Sequence, residues 1–304
     1  MLDLLVIGGG PAGVTGAVQA HRSGLKTLLL EKEWIGGLIR TANLVENYPG
    51  MPRPMDGHTV AGLLESHLER SGVPYRIAAV IALRQEGGLF HAETCSEGIS
   101  ARSVLLATGS RPKPLALEDT AEAERIGLMY YEVHRLPQLT AADRILIVGG
   151  GDAAFDYALN VARQGARATI LVRGPEPQCL PLLHERVADS PAVDLITKTQ
   201  VLKVACDGPD HVRLTCRQDE AADDLTFTGE YLLAAVGREP DSRLAETLDP
   251  LRPGCYDSGS GKDGRSRPLL YLAGDAAHGR FRQMSIAAGD GMLAAMEAAA
   301  ALKG

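Results

Sequence analysis

Closely spaced cysteines are lacking. The five present, Cys95, Cys179, Cys206, Cys216 and Cys255, are scattered, and the nearest pair lies ten residues apart. That spacing excludes a CxxC motif and fits neither a zinc site nor a disulfide-dense secreted scaffold, so each is read as a reduced thiol and no metal is expected. A cationic excess is missing too. With 31 Lys plus Arg against 38 Asp plus Glu, the net charge of −7 argues against a broad nucleic-acid-binding surface. No apolar run approaches the roughly 20 residues that cross a bilayer, and the N-terminus enters LDLLVIGGG without a basic or cleavage-type segment. The expectation is a cytoplasmic protein with no nucleic-acid and no membrane partner.

What the sequence does have is an internal repeat. Its 304 residues suggest about two domains, and residues 3–31 can be laid over 144–172 without a gap. Each copy opens with a continuous apolar run (Leu4 to Ile7; Ile145 to Val148), as expected of a strand buried on both faces. A glycine turn, a helix rich in small residues, a closing glycine (Gly24; Gly165) and a second apolar strand (Leu28 to Leu30; Thr169 to Val172) follow. That is a βαβ unit made twice.

The turns read Gly8-x-Gly10-x-x-Gly13 and Gly149-x-Gly151-x-x-Ala154. In strand-to-helix context the first glycine permits the tight turn, the second lets backbone amides approach a pyrophosphate, and the third position lets helix and strand pack closely. Glu31 follows Gly8 by 23 residues, where a carboxylate accepts hydrogen bonds from an adenosine ribose, which suits FAD or NAD. The equivalent position of the second copy is Val172, followed by Arg173. With no carboxylate to repel a 2′-phosphate and a guanidinium to bind one, this copy leans towards NADPH.

GGGPAG with Glu31, ENYPG (46–50), ATGS (107–110), GGGDAA, AVGREPD (235–241) and LAGDA followed by FRQMSIAAGDGMLAA, in this order, resemble the thioredoxin reductase-like flavoproteins over essentially the whole chain. That family includes thioredoxin reductases and the ferredoxin–NADP reductases built on the same scaffold. The resemblance implies an α/β fold of two Rossmann-like, three-layer dinucleotide-binding domains. The FAD domain spans 1–113 and 243–304, with an NAD(P)H domain, 114–242, inserted and hinges near 113 and 243. It implies FAD held by Gly8, Gly10, Gly13 and Glu31, by Gly36 and Gly37 beside the isoalloxazine, by Asn47, and by Thr108 and Gly109 on the adenine side. Gly274 and Asp275 serve the ribityl or pyrophosphate portion, Asp275 being alternatively an N-cap of the last helix. Backbone amides of Arg282, Gln283 and Met284 face the pyrimidine end, where charge builds on reduction. The NADPH site implied comprises Gly149, Gly151, Asp152, Ala153, Ala154, Arg173, Gly237 and Arg238. Hydride passes from nicotinamide to flavin N5, a step in which positioning suffices.

The sequence departs from the family at three places. Thioredoxin reductases carry a redox-active CxxC just before the second glycine motif, where this chain reads GLMYYEVHRLPQL (127–139). A disulfide needs two sulfurs, so thioredoxin reduction by the family's route is rejected. The ferredoxin–NADP reductase branch lays a C-terminal aromatic over the flavin, and nothing comparable follows the last helix here. One flavin face is then open or covered by Tyr130 or Tyr131, unless those rings are core packing, and His134 with Glu132 could relay a proton. The family's His-Arg-Arg run and later arginine are reduced to Arg173, with Gln178 at the later position, so NADH stays possible.

Electrons are therefore expected to leave from the flavin itself. The acceptor is a ferredoxin or flavodoxin type of carrier, including one that serves a radical enzyme such as those of lipoate assembly. Alternatives are a small disulfide or dithiol at the flavin, or a non-catalytic flavin-binding sensor or assembly partner; an intact second glycine motif with Arg173 favours turnover. Cys179 is the one thiol near the nicotinamide domain's site. Lys262, Arg265 and Arg267 could dock an acidic carrier, QDEAADD (218–224) reads as a surface loop, and the helix ending AAMEAAAALKG suits packing in a homodimer.

Overall fold

The computed structural model describes residues 1–218, 223–246, 248 and 269–303. The basic stretch carrying Lys262, Arg265 and Arg267 lies outside the described residues, as do Cys255 and part of QDEAADD. The described chain divides into two compact units. One comprises Met1–Arg40, Leu44–Arg111 and the described residues from Glu239 onward; the other comprises Thr41–Asn43 and Pro112–Arg238.

The first unit opens with β1 (Leu2–Ile7), α1 (Pro11–Arg22) and β2 (Thr27–Glu31), followed by α2 (Gly57–Arg70) and β3 (Tyr75–Ile77). Next come β4 (Val80–Glu86), β5 (Leu89–Thr94), β6 (Gly98–Leu106) and the short β7 (Ser110–Pro112). Strands β3, β2, β1 and β6 lie side by side in parallel, while β4, β5 and the first half of β6 form an antiparallel meander. Alternation along β1 explains the layering. Leu4 and Val6 join the core under α1, Leu5 and Ile7 the core under the meander, and all four are buried because both faces of the sheet are covered. Gly24 takes the left-handed conformation just past α1, stopping the helix where its sequence position indicates.

The second unit repeats the plan with α3 (Thr120–Arg125), β8 (Met129–Tyr130), β9 (Arg144–Val148), α4 (Asp152–Arg163), β10 (Arg167–Leu171) and α5 (Pro181–Ala188). It continues through β11 (Val193–Ile196), β12 (Thr199–Cys206), β13 (Val212–Gln218), β14 (Leu225–Gly229), β15 (Tyr231–Ala234) and β16 (Arg238–Pro240), the last reaching the first unit. The parallel order β11-β10-β9-β15-β8 is covered on one face by α4 and α5 and on the other by the antiparallel sheet β12-β13-β14. Strand β10 ends at Leu171, one residue earlier than the apolar run suggests, leaving Val172 at the strand's exit.

After α6 (Arg243–Glu246) the chain returns as β17 (Leu269–Leu272), parallel to β6, and ends in α7 (Met284–Lys303). This helix corrects the reading that no run approaches bilayer-spanning length: its 20 residues are, by length and composition, apolar enough to cross a membrane, with mean hydropathy 1.2. Its alanines, with Ile286, Leu293, Leu302 and three methionines interspersed, supply that hydropathy without forming a continuous bulky run, since Asp290 and Glu297 interrupt it. The inner face packs closely on α1, with no room for a side chain at Gly291, where a Cβ would lie 2.0 Å from the carbonyl oxygen of Ala12.

Candidate functional site

In the first unit the chain leaves β1 at Gly8, whose φ of +111° favours glycine and whose Cβ would lie 2.2 Å from the Ala107 carbonyl oxygen. A Cβ at Gly13 would lie 1.8 Å from the Gly8 oxygen, so α1 rests on the turn itself. Gly10 is the opposite case. A Cβ there would meet nothing within 4 Å, and as N-cap of α1 it leaves the helix terminus without a side-chain acceptor. The result is an open cradle of amides at the positive end of a helix dipole, suited to a pyrophosphate.

Glu31 closes one side of that cradle. Its Oε2 accepts from Gly9 N–H at 2.6 Å and its Oε1 from Glu33 N–H at 2.9 Å, which fixes the buried carboxylate at the turn. Gly36 donates its N–H to the Gly9 carbonyl (2.8 Å), and a Cβ at Gly37 would lie 3.1 Å from Gly10 Cα. Six residues expected for FAD thus converge. Past β6, Thr108 Oγ1 donates to the Asp241 carbonyl (2.6 Å) and Asp241 N–H returns to Gly109 (2.9 Å). Asp241 is held below the usual carboxylate range by its hydrogen bonds from Arg243.

Ser110 Oγ donates to Asp275 Oδ2 at 2.9 Å. Asp275 sits in the 3₁₀ turn Gly274–Ala276, whereas α7 begins at Met284, so Asp275 is not the N-cap of the last helix. Asn47 Nδ2 donates to Gln283 Oε1 at 2.8 Å, uniting two expected residues 236 positions apart at the start of α7. Arg282 turns its guanidinium onto the Gly279 carbonyl. Ser110, Asp241 and Asp290, whose Oδ2 accepts from Gly274 N–H, are the partners that sequence reasoning missed. All three lie within sequence motifs, Ser110 ending ATGS, Asp241 ending AVGREPD and Asp290 inside FRQMSIAAGDGMLAA, but none of the motifs says which group the side chain holds.

The second unit builds its cradle the same way. Gly149 has φ +151°, with a hypothetical Cβ 2.3 Å from the Ala235 oxygen, and Gly151, the N-cap of α4, opens on free space. Ala154 is fully buried against the turn. Where Glu31 Cβ and Cγ lie 3.0 and 3.1 Å from a Cβ built on Gly9, Val172 Cγ1 lies 2.8 Å from one on Gly150. The structure therefore makes Val172 the counterpart of Glu31, as the repeat predicts. Arg173 is exposed just beyond it. Asp152 Oδ1 accepts from Leu180 N–H (2.8 Å) and Gly150 accepts from Gln178 N–H (2.6 Å), so the chain at Gln178–Leu180 folds back along the turn.

The segment without cysteine is committed to structure. Glu132 Oε1 pairs with Arg238 and Glu132 Oε2 accepts from Tyr157 OH at 2.8 Å, the acid and the arginine being only 14% and 15% exposed. Burial, then Glu132, pushes the Tyr157 phenol far above its ordinary value. Glu132 is thereby engaged through both oxygens, with His134 two residues on in the neighbouring 3₁₀ turn Val133–Arg135. Arg238, expected to meet nicotinamide nucleotide, forms this ion pair, and Gly237, at φ +112°, accepts from Lys113 N–H. Tyr130 stacks edge-on with Tyr231 (6.1 Å), and Tyr131 OH accepts from Leu115 N–H and donates to Glu124, so both rings belong to this unit's packing. Burial and Asp152 push the Cys179 thiol up, away from thiolate chemistry. Among the described residues no group of His, Cys, Asp and Glu suits a metal ion.

Two open glycine cradles, one flanked by a carboxylate and one by valine and arginine, coincide with a family pattern that matches residues 2–291, pyridine nucleotide-disulphide oxidoreductase. The chain belongs to that family. It is 29% identical to thioredoxin reductase of Mycolicibacterium smegmatis over 244 residues, 80% of this chain and 77% of that one. It is 27% identical to a component of the alkyl hydroperoxide reductase of Escherichia coli over 249 residues, 80% of this chain but 47% of that protein, so it spans about half of that relative's length. The crystal structure of Lactococcus lactis thioredoxin reductase superposes with a TM-score of 0.85 at 25% identity, covering 100% of this chain and 99% of that one. The protein is thus a thioredoxin reductase-like oxidoreductase whose cofactors are FAD and NAD(P)H. The cradles fit both groups, because the Cβ that would fill each one is missing at Gly10 and Gly151.

Proposed function

We propose that the protein is an NADPH-dependent FAD reductase that delivers electrons from the flavin directly to an external acceptor, a carrier of the ferredoxin or flavodoxin type. The observation that supports this reading is the Glu132–Arg238–Tyr157 cluster in the segment that lacks cysteine. A dithiol relay needs two neighbouring sulfurs, and here Glu132 of that segment is held in a largely buried ion pair. FAD supplies the chemistry that joins a two-electron donor to the acceptor. The chain's residues hold the groups: amides at Gly10 and Gly151 the pyrophosphates, Glu31 the FAD ribose, and Arg173 the 2′-phosphate, with Val172 leaving it unopposed.

On this reading the first unit is the FAD domain and the second the NADPH domain. The exposed side of α7, with Ile286, Met292, Leu293 and Met296, is the contact surface of a homodimer, and the compartment is the cytoplasm. Anaerobic titration with NADPH and then NADH, following the flavin absorbance, tests the reading. Bleaching by NADPH at lower concentration than NADH, followed by reoxidation with added ferredoxin or flavodoxin but not thioredoxin, is the expected result. Catalytic reduction of thioredoxin, or no bleaching by either nucleotide, would overturn it.

A further inference from the structure

The turn after β17 is fastened by a carboxylate that belongs to none of the glycine motifs. Asp290 Oδ2 accepts from Gly274 N–H at 3.0 Å and lies 2.8 Å from His278 Nε2. The acid is 18% exposed and the imidazole 38%. Gly274 is left-handed (φ +67°), and a Cβ there would lie 3.0 Å from Ala12 Cβ and 3.3 Å from Ala287 Cβ. It is therefore wedged between the first turns of α1 and α7. The residue after Asp290 is Gly291, the point at which α7 touches the Ala12 carbonyl. One carboxylate thus stands where the open end of α1, the 3₁₀ turn and α7 meet, while Asp275 within that turn holds Ser110.

We propose that Asp290, partnered by His278, is a positioning residue for FAD. It ties the backbone of Gly274 and the side chain of His278 to α7, so that the turn presents Asp275 in one orientation before the cofactor arrives. The inference rests on the FAD reading of the first unit and adds to it a residue that itself touches no cofactor. A glycine with positive φ has the widest backbone freedom, and a charged acceptor on its N–H removes that freedom more strongly than a neutral one. Ordering completed during folding is not charged against binding, and supporting shells of this kind typically govern affinity by about 10–100-fold.

The test uses wild type, Asp290→Ala, Asp290→Asn, His278→Ala and His278→Gln. FAD is removed from each holoprotein and its rebinding followed by quenching of flavin fluorescence, together with the visible spectrum of the bound flavin and the thermal midpoint of each apoprotein. Asp290→Ala is expected to weaken FAD binding at least about tenfold and to alter the flavin band shape. Asp290→Asn, which keeps an acceptor for Gly274, falls between it and wild type. His278→Ala weakens binding, and His278→Gln, which keeps a donor, stays within about twofold of wild type. Wild-type affinity and spectrum in Asp290→Ala, whatever its apoprotein midpoint, would overturn the proposal; should that variant not fold, wild-type affinity in both Asp290→Asn and His278→Ala would do the same. Failure of wild type itself to take up FAD would instead overturn the FAD reading, and this inference with it.

Discussion

Val172 and Glu31 occupy equivalent positions against their glycine turns, one apolar and one acidic, and on the proposed function this difference of one side chain carries the choice of nucleotide. Val172→Glu introduces a carboxylate where a 2′-phosphate would lie and an acceptor where a 2′-hydroxyl would. The expected outcome is a fall of about tenfold or more in kcat/KM for NADPH with a gain for NADH, read from flavin reduction by each nucleotide. A parallel loss for both would point to a packing defect at Gly150.

Asp156 on α4 is a second residue with a definite consequence. Both its oxygens accept from Asn43 N–H (3.0 and 3.1 Å), Asn160 Nδ2 adds a bond at 3.1 Å, and burial still raises its carboxyl from 3.8 to about 6. A carboxyl that keeps its proton to higher pH when folded adds stability in acid. That contribution is full below about pH 4 and is lost as pH rises through about 6. Asp156→Asn should flatten this slope, gaining on wild type above pH 6 by an amount on the order of 3 kcal/mol. Thermal midpoints of both proteins between pH 4 and 8 check it; a difference that does not change with pH would contradict the assignment. None of this was legible in the sequence, since the partners lie 113 residues apart and Asp156 looks like any helix carboxylate.

Among elements, the two βαβ units were legible because their signals are local: continuous apolar strands, small residues at fixed offsets and a closing glycine. Helix α7 was legible as a helix, but its meeting with α1 was not, because a glycine inside a helix gives no sign of what it faces. Gly291→Ala tests that contact. The added methyl would sit 2.0 Å from a backbone oxygen that cannot rotate away, so the helices must separate. Overpacking of this kind costs about 1–3 kcal/mol, measurable by urea unfolding of the apoprotein. Alanine at Gly289, where a Cβ meets nothing within 4 Å, is the matched control and should be neutral or slightly stabilising.

For the whole molecule, α7 shows one face to its own core and another, bearing Ile286, Met292, Leu293 and Met296, to the outside. Met292 is 45%, Leu293 51% and Met296 54% exposed, more apolar surface than a helix keeps in water without cause. Met292→Glu with Met296→Glu should convert a dimer into a monomer in light scattering while leaving FAD bound. An unchanged mass would remove α7 from the contact. The acceptor was the least legible property of all, since a docking surface is written in shape and charge across distant segments rather than in a motif.

The contrast between glycines that are hemmed in and glycines that face open space has a practical result. Gly8, Gly13 and Gly149 stand against backbone atoms, so alanine at any of them should deplete folded protein in the cell. Gly10 and Gly151 stand against nothing. Alanine at Gly10 should therefore accumulate as abundant, well-folded and colourless protein, and alanine at Gly151 as protein that stays yellow when NADPH is added. A plate of colonies read for expression and for colour would sort the glycines of this chain into those that shape the protein and those that make room for what it carries.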